Sequence, residues 1–203
     1  MINPSDFWHW FKAYQIDYAL ILRSDTDSAL EVIENINDEL HKYCEELSVA
    51  VMKAPDNIIT MVVTANGNKQ YFNEAEDLIK YSPELEGWQF EALKRPVEED
   101  FVWELPNGLM INTEEIWFDP ISAEENSSVF GIRLYLKDYE LIDTESLQNV
   151  TLELVQQMAG EKAFALDIDV IEAAALPNNN EPMIPIRKLS NFINWYKDHV
   201  QKN

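Results

Sequence analysis

Asp167 and Asp169, in the run Ala165-Leu166-Asp167-Ile168-Asp169-Val170, are the side chains whose types and spacing come nearest to chemistry. On a strand, residues two apart share a face, so these carboxylates would lie close enough to share a cation or a proton. A hard cation usually needs more oxygen ligands than two carboxylates supply. The same spacing also describes the solvated face of an amphipathic strand with Leu166, Ile168 and Val170 inside, and that reading is the simpler one. If the fold brought Glu115 or Asp119 close, the pair would become a carboxylate metal site, so a metal-binding domain or hydrolase stands as the alternative function.

The other reactive residue types are sparse. His9, His41 and His199 stand in neither His-x-x-x-His nor His-Glu-x-x-His spacing, and are expected on the surface. Cys44 is the single cysteine, which excludes an internal disulfide and an all-cysteine metal site. Set beside Tyr43 and Glu45, with Leu40 and Leu47 on its helical face, it reads as a small buried hydrophobe rather than an activated thiol. The chain has no Gly-x-Gly-x-x-Gly, no P-loop and no Gly-x-Ser-x-Gly elbow. No catalytic residue and no cofactor is assigned.

Charge is the outlying property. Thirty-seven Asp and Glu against fifteen Lys and Arg give a net charge of −22 over 203 residues. Phosphate binding needs clustered Lys and Arg, so nucleic acid and an anionic membrane are poor ligands, whereas a basic protein fits. Much of the excess sits on one predicted helix, where Asp27, Glu31, Glu34, Asp38, Glu39, Glu45 and Glu46 face outward against Lys42 alone. Pairing at i,i+4 cannot neutralise that ratio. Glu31, Glu34, Asp38 and Glu45 are therefore the candidate partner-binding residues. Trp117, flanked by Glu114, Glu115 and Asp119 and followed by Pro120, joins them as a rim aromatic, although the core of an edge strand would suit it equally. Lys and Arg recur in the closing segment (Arg187, Lys188, Lys197, Lys202), where packing against an acidic face is expected.

The elements that must position these residues follow from apolar periodicity. Phe7, Trp10, Phe11 and Tyr14 make the stripe of a short first helix, with Trp8 and His9 off its centre. Ser28 and Glu31 have capping-box spacing at the start of the acidic helix, whose inner face runs from Ala29 through Val32, Ile33, Ile36, Leu40, Tyr43 and Cys44 to Leu47. Strands are expected over 48–53 and 58–64, a helix over 70–81, and a strand over 88–93. Further strands fall at 101–104, 109–111, 115–118 and 129–136, with a polar loop over 122–128. A strong helix spans 144–159 and stops at Gly160. Residues 164–174 read as strand-like, with room for one helical turn at their start, and a last helix covers 187–200. Strands cluster mid-chain instead of alternating with helices. This predicts an α+β fold, a mainly antiparallel mixed sheet packed by about five helices, as a single domain over 1–203. No internal repeat stands out, and no signal peptide or membrane-spanning run is visible, which predicts a cytoplasmic protein.

Phe7-Trp8-x-Trp10-Phe11, Trp88, Glu115-Ile116-Trp117-Phe118-x-Pro120 and Gly160-Glu161…Ala165-Leu166-Asp167-Ile168-Asp169 together resemble an uncharacterised bacterial family of domains of unknown function. The likeness runs along nearly the whole chain and implies no activity and no site residues. In charge and size alone, the chain is also similar to small acidic α/β proteins that inhibit ribonucleases or neutralise toxins. The functional expectation is a non-catalytic cytoplasmic binding or regulatory protein that engages a basic protein partner, with the oligomeric state left open.

Overall fold

In the computed structural model, which describes residues 2–24, 26–53, 56–105, 107–121, 129–177 and 183–199, the residues pack as two compact units, Met1–Lys94 and Arg95–Asn203. The expected loop over 122–128, the side chain of Asp27, and Val200 and Lys202 lie outside the described residues. The class is α+β, with six α-helices and nine strands among the described residues. The single packed sheet expected from the sequence is corrected to three small ones of three, two and four strands. Four of the six strand pairings described are antiparallel. Among the described residues no helix is long and apolar enough to cross a membrane.

In the first unit, α1 (Pro4–Ser24) and α2 (Thr26–His41) precede a sheet of β1 (Ser48–Lys53), β2 (Ile59–Thr64) and β3 (Trp88–Ala92), with α3 (Phe72–Lys80) crossing from β2 to β3. The first helix is long, not short. Its buried face is Phe7, Trp8, Phe11, Tyr18, Ala19 and Leu22, while Tyr14, expected inside, is 46% exposed. Trp8 was expected off the stripe, yet it is buried because its indole N–H finds a partner, donating to the Leu78 carbonyl at 2.6 Å, while its ring meets Phe90 edge-on at 4.6 Å. Phe7 and Phe11 are fully buried; burying such a ring is worth roughly 1.5–3 kcal/mol.

The second unit opens with a hairpin of β4 (Val102–Glu104) and β5 (Met110–Asn112). A second hairpin, β6 (Ile116–Ile121) with β7 (Phe130–Leu136), leads through α4 (Thr144–Ala159) and α5 (Glu161–Asp167) to β8 (Ile168–Ala175). β9 (Ile184–Pro185) and α6 (Leu189–His199) close the chain. The sheet order is β8-β7-β6-β9, with β8 parallel to β7 and the other pairings antiparallel. Ile116, Phe118, Ile132 and Leu134 form one core with Val150, Leu154 and Met158 of α4 and Leu189 and Ile193 of α6. Both units thus use the same local plan, an antiparallel pair followed by a helical crossover to a strand parallel with the second.

The join between α4 and α5 is held by one residue. Gly160 adopts φ 79° and ψ 155°, a region open essentially to glycine alone. A Cβ there would also lie 2.8 Å from Pro96 Cδ and 2.9 Å from its nitrogen. Gly67, also left-handed at φ +80°, has open space around it. Gly160→Ala is expected to cost about 3 kcal/mol, and Gly67→Ala about 1 kcal/mol, in urea unfolding followed by circular dichroism. Equal losses would show that the Pro96 contact has no energetic weight.

Candidate functional site

The acidic helix places Glu31, Glu34 and Asp38 one after another on its exposed face, at i, i+3 and i+7 along one stripe. None of the three has an ion-pair partner among the described residues. Their helix ends earlier than its apolar period suggests. The Leu40 carbonyl accepts the N–H groups of both Tyr43 and Cys44 at 2.9 Å, and Leu47 N–H returns to the Cys44 carbonyl at 3.3 Å. Glu45 and Glu46 therefore lie in a turn beyond α2, not on its face. The turn must reverse the chain into β1, and the Asn37 side chain fixes that reversal by accepting the Val49 N–H at 2.9 Å.

This turn opens a cleft of about 450 Å³, lined by His41, Lys42, Tyr43, Cys44, Glu45, Glu46, Tyr71 and Glu74. Lys42 is tied to Glu39 at 2.5 Å. Tyr43 donates its hydroxyl to the Glu74 carbonyl at 3.1 Å. Burial raises the Tyr43 phenol above its ordinary 10.0, with Asp77, Glu74 and Cys44 adding to the shift. Tyr18 is raised in the same way, by burial first and then by Tyr14 and Glu39. Oε2 of Glu74, a residue of the cleft lining, is itself buried and has no protein hydrogen-bond partner. Three carboxylates beside two phenol rings suit a lysine or arginine side chain.

The second unit treats its acids differently. Trp117 is neither in an edge strand nor in the core. β6 lies between β7 and β9, and Trp117 is half-buried on the face opposite Ile116 and Phe118. On that face Tyr135 donates to Asp119 at 3.1 Å, Arg133 binds Glu172 at 2.9 Å, and Lys137 binds Glu115 at 2.7 Å. Glu172 and then Tyr135 hold the Arg133 guanidinium above its ordinary value. Neither Glu115 nor Asp119 is therefore available to join the aspartate pair. Nothing in the sequence signals this lattice, because register alone brings Arg133 opposite both Asp119 and Glu172.

Asp167 and Asp169 do not share a strand face. Asp167 ends α5, is 5% exposed, and lies 2.5 Å from Lys197 of α6. Asp167 Oδ2 is buried and makes no hydrogen bond, so the contact is an ion pair. Asp169 is the extra residue at a bulge, where Phe130 pairs with Ile168 and Gly131 already with Val170, and it is exposed. The amphipathic pattern there resolves into a helix end and a bulged strand. The basic closing segment does pack against acids, Arg187 on Asp100 at 3.0 Å as well as Lys197 on Asp167. His9, His41 and His199 are exposed, and no group of three or more His, Cys, Asp or Glu that could hold a metal occurs among the described residues.

The raised Tyr43 phenol gives a pH signature. An unfolded tyrosine ionises first as pH rises, so Tyr43 contributes stability that is whole below about pH 10 and lost through its folded value. Tyr43→Phe is expected to cost about 1 kcal/mol at neutral pH through the missing Glu74 hydrogen bond. It should also flatten the alkaline limb of stability, measured by urea unfolding between pH 7 and 11. Parallel limbs in the two proteins would contradict the assignment.

A scan of protein-family models finds none that matches this chain, and a search of curated proteins finds no match either.

Proposed function

We propose that the protein is a non-catalytic binding or regulatory protein of the bacterial cytoplasm, inhibitor- or immunity-like, that engages a basic protein partner. The observation that carries this reading is the exposed stripe of Glu31, Glu34 and Asp38, without ion-pair partners among the described residues, on a helix whose last residue lines an acidic cleft. A native surface that concentrates one sign of charge steers an oppositely charged partner and sets its orientation. Glu45, although off the helix, lines that cleft and belongs to the same surface. In this reading a lysine or arginine of the partner enters between Glu45, Glu46 and Glu74. Trp117 shares its sheet face with acids already held by Lys137, Arg133 and Tyr135, and is given no part in this contact. The same charge makes nucleic acid and an anionic membrane unsuitable partners.

The test is affinity capture from the native host at low salt, comparing the wild-type chain with Glu31→Lys/Glu34→Lys/Asp38→Lys. The wild type should retain a basic protein whose association slows as salt rises, and the triple variant should bind that protein about tenfold or more weakly. Capture of no basic protein by the wild type, or of the same one at equal strength by the variant, would remove the proposal.

A further inference from the structure

β8 is eight residues long and lies at the edge of the four-stranded sheet, with no strand paired to its outer side among the described residues. Leu176 N–H donates to the Leu136 carbonyl on β7. Alternate residues of a strand turn their N–H and C=O to opposite sides, so Ile171, Ala173 and Ala175 present theirs outward. Beside this edge runs a groove of about 320 Å³, walled by Ile171 and Ala173 of β8 and by Leu147, Gln148, Thr151 and Leu152 on one face of α4. Leu152 is 48% exposed. An edge strand with an apolar channel against a neighbouring helix is the geometry that accepts an extended peptide as an added strand. Main-chain hydrogen bonds supply affinity there, and alternate side chains enter the groove.

Charge selects the occupant. Between Asp138 and Ala175 the chain carries nine acidic residues and one base, Lys162, and from outside that stretch Lys197 pairs with Asp167 and Arg133 with Glu172. Glu145 and Glu153 on α4, Asp143 at its cap and Asp169 at the bulge are all exposed. A second copy of β8 would bring like charges together, whereas a basic strand would meet complementary ones. We propose that the edge of β8 and the facing side of α4 form a groove that takes an extended, alternately basic and apolar segment of a partner protein as an added strand. The inference rests on the reading that the partner is a basic protein, and it assigns how the second unit holds that partner.

The probe is the labelled peptide Lys-Val-Lys-Val-Lys-Val-Lys, titrated into the full chain and followed by anisotropy and by amide hydrogen exchange. The peptide should bind, and the Ile171 and Ala173 amides should slow by about tenfold or more. Ala173→Pro removes an outward donor at a position where an edge strand tolerates proline, and should weaken binding about tenfold. Leu152→Lys, an exposed change that leaves the strand intact, should do the same by charge and by lost apolar contact. With Glu31→Lys/Glu34→Lys/Asp38→Lys, which alters the stripe proposed above for the partner, saturating peptide should still slow the Ile171 and Ala173 amides.

Peptide binding that responds only to the α2 changes, without protection on β8, would overturn the groove while leaving the basic-partner reading in place. A proline-interrupted peptide, Lys-Val-Pro-Val-Pro-Val-Lys, that binds as well as the probe would reduce the contact to charge alone and overturn strand addition. Sedimentation showing a dimer with the β8 amides already protected would overturn it in favour of a second copy. Failure of the native partner capture, with the peptide still docking on β8, would instead count against the proposed function alone.

Discussion

Thirty-seven acidic side chains meet fifteen basic ones, and where those few cations are placed constrains everything else in the molecule. Two unit charges 4 Å apart interact by about 1 kcal/mol in water and several times that near a protein surface, so crowded acids need either solvent or a counter-charge. The second unit spends cations where acids meet its sheet or its core. Lys197 is held at Asp167, Arg133 at Glu172, Lys137 at Glu115 and Arg187 at Asp100. The most buried of these carboxylates, Asp167, would be the costliest to leave alone, because removing one partner of a buried pair strands a charge in low dielectric. α2 itself has no Lys or Arg between Thr26 and His41, and while its Glu39 is tied to Lys42, Glu31, Glu34 and Asp38 have no ion-pair partner among the described residues.

The backbone does comparable work at Gly160. By turning where only glycine can, it ends α4 and lets α5 begin at once, under the close approach of Pro96. That second short helix carries Asp167 to within reach of α6 and delivers the chain to β8 along the edge of the sheet. An uninterrupted α4 would leave neither the Asp167–Lys197 pair nor the bulge that sets Asp169 apart. The electrostatics of the second unit and its topology therefore share one backbone cause.

These causes explain what was legible in the sequence. The helix at Thr144–Ala159 and the strand at Ser48–Lys53 have the expected bounds, because their period and their stop signals are local. The stop after His41 is set by turn hydrogen bonds and by Asn37 reaching Val49, while Tyr43, Cys44 and Leu47 continue the apolar period regardless. Periodicity reports which side chains could be buried, not where the chain must reverse. Trp8 shows the same limit, since its burial depends on the Leu78 carbonyl, seventy positions away. The α+β class was readable from the clustering of strands, whereas their division among three sheets was not, since the pattern marks strands without naming their neighbours. The exposure of Glu31, Glu34 and Asp38 was readable because it follows spacing on a helix. The Asp167 and Asp169 pairing was not, because a helix end and a bulge alternate much as a strand does.

Excess negative charge also answers a hazard that the fold creates. An edge strand of eight residues ending in three alanines, near exposed Val170 and Leu152, offers unpaired main-chain groups and apolar side chains together. That combination invites pairing between copies. The bulge at Asp169 twists the start of the strand, and the surrounding acids make approach by an identical acidic chain unfavourable. Neither device opposes a cationic strand. Repulsion that excludes the commonest wrong partner, the protein itself, leaves the same edge open to a partner of opposite sign, and discrimination of this kind needs no contact specific to the partner's sequence.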